Sequence, residues 1–133
     1  MNLALSPQER SALTSLEARL SQRAHFPITV ERLFTTWRDF VDEVETGYED
    51  SIDEYTNDLS ARDIIDEVLA SAPEHLRVKL LAVLSALDEK FQQASRVDED
   101  HVLRRFTTPR PGWWWSRLPL KLVGPLRSSL KPG

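Results

Sequence analysis

Apolar residues recur along the chain in four stripes at helical spacing. The first is Leu13, Leu16 and Leu20. It follows Ser6-Pro7-Gln8-Glu9, where Ser6 can cap, Pro7 suits the first helical position and Glu9 completes a capping box. This predicts a helix from Ser6 to near Arg23, because Pro27 disfavours helical geometry in Phe26. Thr29 is the predicted cap of a second helix carrying Val30, Leu33, Phe34, Trp37, Val41 and Val44, with Phe40 at the stripe's edge and a break at Gly47. Asp39, Asp42 and Glu43 fall on its far side.

Tyr48, Ile52, Tyr55 and Leu59 make the third stripe, from which Glu49, Asp50, Asp53, Glu54 and Asp58 project away. Ser60-Ala61-Arg62-Asp63 either restarts this helix through a second cap or continues it, and Ile64, Ile65, Val68 and Leu69 follow before Pro73. Asp58 and Asp66 each stand four residues from Arg62, a local support of about 0.3 kcal/mol apiece. The fourth stripe is Leu76, Leu80, Val83, Leu84, Leu87 and Phe91. Val78, Leu81, Ala82 and Ala86 cover much of the remaining surface, which predicts a helix at the centre of the molecule. Asp98-Glu99-Asp100 predicts a short last helix with Val102, Leu103 and Phe106. No convincing strand alternation precedes Thr107, and beyond it Pro109, Pro111, Gly112, Pro119, Gly124, Pro125 and Pro132 preclude a long helix. The expectation is an all-α fold: a compact bundle of four to six helices over residues 1–106, with an irregular Trp/Pro-rich segment over 107–133 packed on it as one domain.

Composition narrows the class. At 133 residues the chain is long enough for one domain with a real core, and 41% hydrophobic with 29% charged residues is ordinary for a soluble globular protein. The absence of cysteine excludes disulfides and thiolate chemistry and suits a reducing cytoplasm, the expected location. Met1–Pro7 has no basic stretch followed by a long apolar core, so no secretion signal is expected. The longest run of Leu, Val and Ala, Leu80–Leu84, falls far short of the ~20 apolar residues of a membrane span.

Charge changes the picture most. All 21 acidic residues lie at or before Asp100, where ten Lys/Arg leave a net −11. From His101 onward there are seven Lys/Arg (Arg104, Arg105, Arg110, Arg117, Lys121, Arg127, Lys131) and no acid. Residues 39–67 hold twelve carboxylates against a single cation, Arg62. Such a field repels itself, attracts basic partners and raises their association rates.

Candidate chemistry is otherwise sparse. The histidines are His25, His75 and His101. Asp98 and His101 form one D-x-x-H pair, whereas a helical di-iron site needs two Glu-x-x-His motifs and further carboxylates. Asp42/Glu45 and Asp50/Asp53 share helix faces and suit Mg²⁺, as in all-α nucleotide pyrophosphohydrolases. The region has no Glu-x-x-Glu, however, and only Arg38 and Arg62 nearby to hold phosphates. The four glycines are scattered and form no phosphate loop. No catalytic residue, metal or cofactor is therefore expected. In the tail, Trp113-Trp114-Trp115-Ser116-Arg117 is a secondary recognition candidate, since Trp and Arg dominate interface hot spots. The same segment, with Leu118, Leu120, Leu122 and Val123, also suits an interfacial or scaffold role, or a strap returning positive charge to the bundle. Its cations and rings suit nucleic acid too, but the −11 body opposes it and no direct nucleic-acid contact is expected.

Over roughly residues 29–71 the chain resembles the bacterial immunity proteins of polymorphic toxin systems, including colicin-nuclease inhibitors and contact-dependent inhibition immunity proteins. The residues that carry the resemblance are Asp42, Glu43, Glu45, Glu49, Asp50, Asp53, Glu54 and Asp58, with Tyr48 and Tyr55 interleaved. The Tyr-Tyr-Pro stretch of the colicin inhibitors is absent. The resemblance implies a non-enzymatic, tight-binding inhibitor of a basic toxin such as a nuclease, with those carboxylates as the docking face. The competing reading from the residues is a small metal-dependent nucleotide hydrolase.

Overall fold

The computed structural model describes residues 3–130, so Met1, Asn2, the tail cation Lys131, Pro132 and Gly133 lie outside the described part. The fold is all-α. Four long helices, α1 (Pro7–Ala24), α2 (Val30–Thr46), α3 (Ile52–Ser71) and α4 (Glu74–Gln93), are followed by a short strand β1 (Ser95–Val97) and a 3₁₀ turn (Val102–Arg105). A second 3₁₀ turn (Trp113–Ser116), strand β2 (Arg117–Pro119) and a short α5 (Gly124–Leu130) complete it. β1 and β2 pair antiparallel, with Ser95 opposite Pro119 and Val97 opposite Arg117.

Local chemistry accounts for the helix starts. The Ser6 hydroxyl accepts from Glu9 N–H at 3.1 Å while Glu9 accepts from Ser6 N–H at 2.7 Å, a closed capping box. Thr29 caps α2 and Ser51 caps α3. The third element begins at Ile52, four residues after its predicted stripe begins, because Gly47 (φ 124°) turns the chain and Ser51 supplies the N–H acceptor. Tyr48 sits instead in the loop, fully buried and bridged to Leu122. Helix α3 runs unbroken through Ser60–Asp63.

The α2–α3 pair, which has the most extensive inter-element packing, is the centre of the molecule. Val30, Phe34, Trp37, Phe40, Val41 and Val44 of α2 are buried against Tyr55, Leu59, Ile65 and Val68 of α3. Burial of each such side chain contributes roughly 1.5–3 kcal/mol. Trp37, Phe40, Tyr48, Tyr55 and Phe91 form one aromatic cluster with centroids 5.2–5.6 Å apart. Helix α4 is thus not central, contrary to the expectation from its apolar composition. Leu76, Leu80, Leu84 and Phe91 face the core, but Val78 is 57% and Leu81 40% exposed, and Ala82 and Ala86 are exposed as well. Among the described residues no layer covers the apolar residues on its outer side.

The strand pair is unpredicted because each strand is three residues long, too short to show alternation, and exists only through its partner. Tyr55 donates its hydroxyl to Arg117 C=O at 2.6 Å, and Asp98 N–H donates to Ser116 C=O at 2.8 Å. The 107–130 segment therefore crosses the bundle as a strap and ends with α5 against α3.

Candidate functional site

The carboxylates of residues 42–58 occupy the C-terminal end of α2, the loop that follows and the first two turns of α3. The last turn of α2 carries no basic residue, although a helix C-terminus favours cations. Asp53 and Glu54, in the first turn of α3, meet the favourable end of that helix. Asp42, Glu43, Glu49, Asp50, Asp53 and Glu54 are exposed. Glu43, Thr46, Gly47, Glu49 and Asp50 line a cleft of about 450 Å³. Burial and the neighbouring Asp50 and Asp39 push the Glu43 carboxyl up from its ordinary value.

Two members depart from a plain solvated face. Lys90 of α4 bridges Asp42 at 3.1 Å and Glu45 at 3.2 Å, so these two are engaged within the chain. Asp58, expected to project from the apolar stripe and support Arg62, is half-buried and accepts the Tyr48 hydroxyl at 2.8 Å. Desolvation raises its pKa to about 6, Tyr48 opposes the rise, and Glu43, Glu54 and Asp50 add to it. Tyr48's own pKa is raised, by burial first and then by Asp58. Among the described residues no cation lies within ion-pair distance of Glu43, Glu49, Asp50, Asp53, Glu54 or Asp58.

Among the described residues the basic strap makes no ion pair with this face. Its ion pair with the body is Arg110–Asp63 at 3.1 Å. The Arg117 guanidinium, a recognition candidate in the sequence, is turned inward and donates to Ser95 Oγ (2.7 Å), Ser95 C=O (3.0 Å) and Gln92 C=O (3.0 Å). Trp114 and Trp115 are buried, 4% and 6% exposed, and only Trp113 of the three offers partial surface. Both buried indoles donate to one oxygen, Asp63 Oδ1, at 2.8 Å each. Gly112 allows that arrangement, since a Cβ there would lie 2.3 Å from the Trp114 ring.

Beside this clamp lies a buried ionic network. Arg62, 5% exposed, forms a two-pronged pair with Asp88 at 3.2 and 2.9 Å. Asp88 also accepts the Trp37 indole N–H at 3.0 Å, and the Arg62 guanidinium lies 4.3 Å from the Trp114 ring centroid. Asp66 stands 3.5 Å from Arg62, whereas Asp58 is not its partner because Tyr48 holds it. Sequence reasoning missed Asp63 and Asp88. The available signals were a lone cation inside the acid-rich segment and a carboxylate, Asp88, next to Leu87 of the apolar stripe.

The D-x-x-H pair does not converge. Asp98 is buried and accepts the Val102 and Leu103 N–H groups at 2.9 and 3.0 Å, while His101 is exposed in the left-handed region. Among the described residues no three His, Cys, Asp or Glu side chains gather as a metal site, and no helix is long and apolar enough to cross a membrane. Compared with protein-family models, with curated proteins and with solved structures, the chain matches none.

Proposed function

We propose that the chain is a non-enzymatic immunity protein that binds and neutralises a basic bacterial toxin through the acidic face of α2 and α3, a nuclease being the toxin class that such a field suits. One observation carries the reading. Glu43, Glu49, Asp50, Asp53, Glu54 and Asp58 converge around the α2–α3 loop with no cation paired to them among the described residues, although the same chain holds a basic strap. That strap directs Arg110 and Arg117 to other partners. A carboxylate field that opposes folding and is left uncompensated gains most from an external cationic surface. The cleft at Glu43, Glu49 and Asp50 offers a concave place for a lysine or arginine side chain. The bacterial, cytoplasmic setting belongs to this proposal.

The test is the variant Glu49→Lys/Asp50→Lys/Asp53→Lys, measured for association with a cognate toxin across a salt series and for protection of toxin-expressing cells. All three side chains are exposed, so the variant should keep the fold, with relief of the mutual repulsion offsetting the lost interaction of Asp53 with the α3 N-terminus. The expected result is slowed association and lost protection, with a wild-type rate that falls steeply with salt. Binding unchanged at low salt would place the interface elsewhere.

A further inference from the structure

The outer side of α4 is a face whose two halves are complementary to each other. His75, Val78, Ala82, Ser85 and Glu89 are all exposed and recur at spacings of three and four, the seam of a pair of packed helices. The exposed Leu81 and Ala86 flank that seam. Ala82 and Ser85, at its middle, are small enough for a second helix to approach closely. Beside Val78 a cleft of about 640 Å³, walled in part by Ala12, His75 and Lys79, leaves room for a long side chain.

The charges select a second copy of the chain. Unlike α1, α2 and α3, α4 has no side-chain cap, so its first turn, which carries His75, is a positive end open to a carboxylate. Glu89 is an exposed carboxylate near the other end, and neither His75 nor Glu89 makes an ion pair among the described residues. Both stand seven residues from Ala82, about 10 Å along the helix in opposite directions. A two-fold axis at Ala82 therefore sets His75 of each copy beside Glu89 of the other, and Val78 beside Ala86. Parallel packing would instead oppose two Glu89 carboxylates. We propose that the chain forms a weak antiparallel dimer through the outer face of α4, with Ala82 at the axis and His75 facing Glu89 of the second copy. The seam is only about four helical turns long, so the dissociation constant is on the order of 0.1 mM. The loop carboxylates Glu49, Asp50 and Asp53 are not part of this contact, so the inference stands apart from the immunity reading.

Sedimentation equilibrium of the full chain from about 10 µM to about 1 mM reads the association. The wild type should pass from monomer to dimer over that range, and its concentration-dependent amide NMR shifts should centre on Val78, Ala82 and Ala86. Ala82→Glu, at an exposed position, sets two carboxylates at the axis and should leave a monomer throughout. Glu89→Lys should weaken the dimer roughly tenfold, and His75→Glu/Glu89→Lys, which exchanges the two ends, should restore it. Glu49→Lys/Asp50→Lys/Asp53→Lys should dimerise at least as tightly as the wild type, which separates this contact from the proposed toxin face. A wild type still monomeric at about 1 mM, shifts centred away from α4, a dimer that survives Ala82→Glu, or a Glu89→Lys defect that the exchange fails to repair would each overturn the assignment.

Discussion

Removing the Asp63 carboxylate gives the sharpest measure of what holds the strap to the bundle. Asp63→Ala leaves two buried indole N–H groups without their shared acceptor and frees Arg110 from its pair. Each orphaned buried donor costs about 1–3 kcal/mol, and the exposed Arg110 pair adds at most about 1. The expected loss is about 4 kcal/mol, a large part of the roughly 5–15 kcal/mol that stabilises a domain. Asp63→Asn keeps one oxygen able to accept both indoles, so its loss should be near 1 kcal/mol and fall mainly on Arg110. Urea unfolding followed by tryptophan fluorescence reads both variants, and limited trypsin digestion at Arg104–Arg127 reads strap release. Asp63→Ala should shift the midpoint far more than Asp63→Asn, redden the native emission and speed cleavage. Losses below about 1 kcal/mol for Asp63→Ala, or equal losses for the two variants, would refute the account of a shared carboxylate acceptor.

Leu84→Ala should cost about 2–5 kcal/mol because its side chain is 1% exposed, whereas Leu81→Ala, at 40% exposure, should cost well under 1; equal losses in denaturant titration would contradict the outward face of α4. Asp58→Asn should be more stable than wild type at pH 7.5, with the difference fading toward pH 4. The native pKa of about 6 lies above the ordinary 3.8, so the native state takes up the proton first; that stabilisation is complete below 3.8 and lost as pH rises through 6. The shift corresponds to about 3 kcal/mol, and to roughly 1 once solvent around a half-exposed carboxylate is discounted; a variant less stable than wild type at pH 7.5 would contradict the burial assigned to Asp58.

The helices were legible because each is marked twice, by an apolar stripe and by an end signal. The Ser6/Glu9 box, Thr29 and Gly47 are where the sequence puts them. The position of α4 was not legible, since composition reports how apolar a helix is but not whether a neighbour covers it. Val78 and Leu81 look like core residues from spacing alone and are exposed. The charge segregation located the acidic face, but it could not say which carboxylates spend their charge internally. Asp42 and Glu45 take Lys90 from a helix 45 or more residues away, and Asp58 takes Tyr48 across the loop. These pairings depend on packing angles that no local pattern encodes.

Charge excess and charge availability therefore separate within one protein. Residues 39–67 hold twelve carboxylates, but six of them, Asp39, Asp42, Glu45, Asp63, Asp66 and Glu67, form ion pairs within the chain, and Asp58 is tied to a phenol. Asp63, the one that receives the strap, is deep enough to fix buried tryptophans. Those left without a cationic partner cluster at the α2–α3 loop, where the backbone of Gly124 approaches Glu49 C=O; a Cβ on Gly124 would lie 3.3 Å from that oxygen. With φ at +54° and so little space, Gly124 lets the strap reach the acidic loop through its backbone. The strap thus braces the loop while leaving its carboxylates facing outward. Rigid support under an uncompensated field reduces the ordering cost of binding, which is the arrangement expected of a surface that must capture a charged partner quickly and hold it.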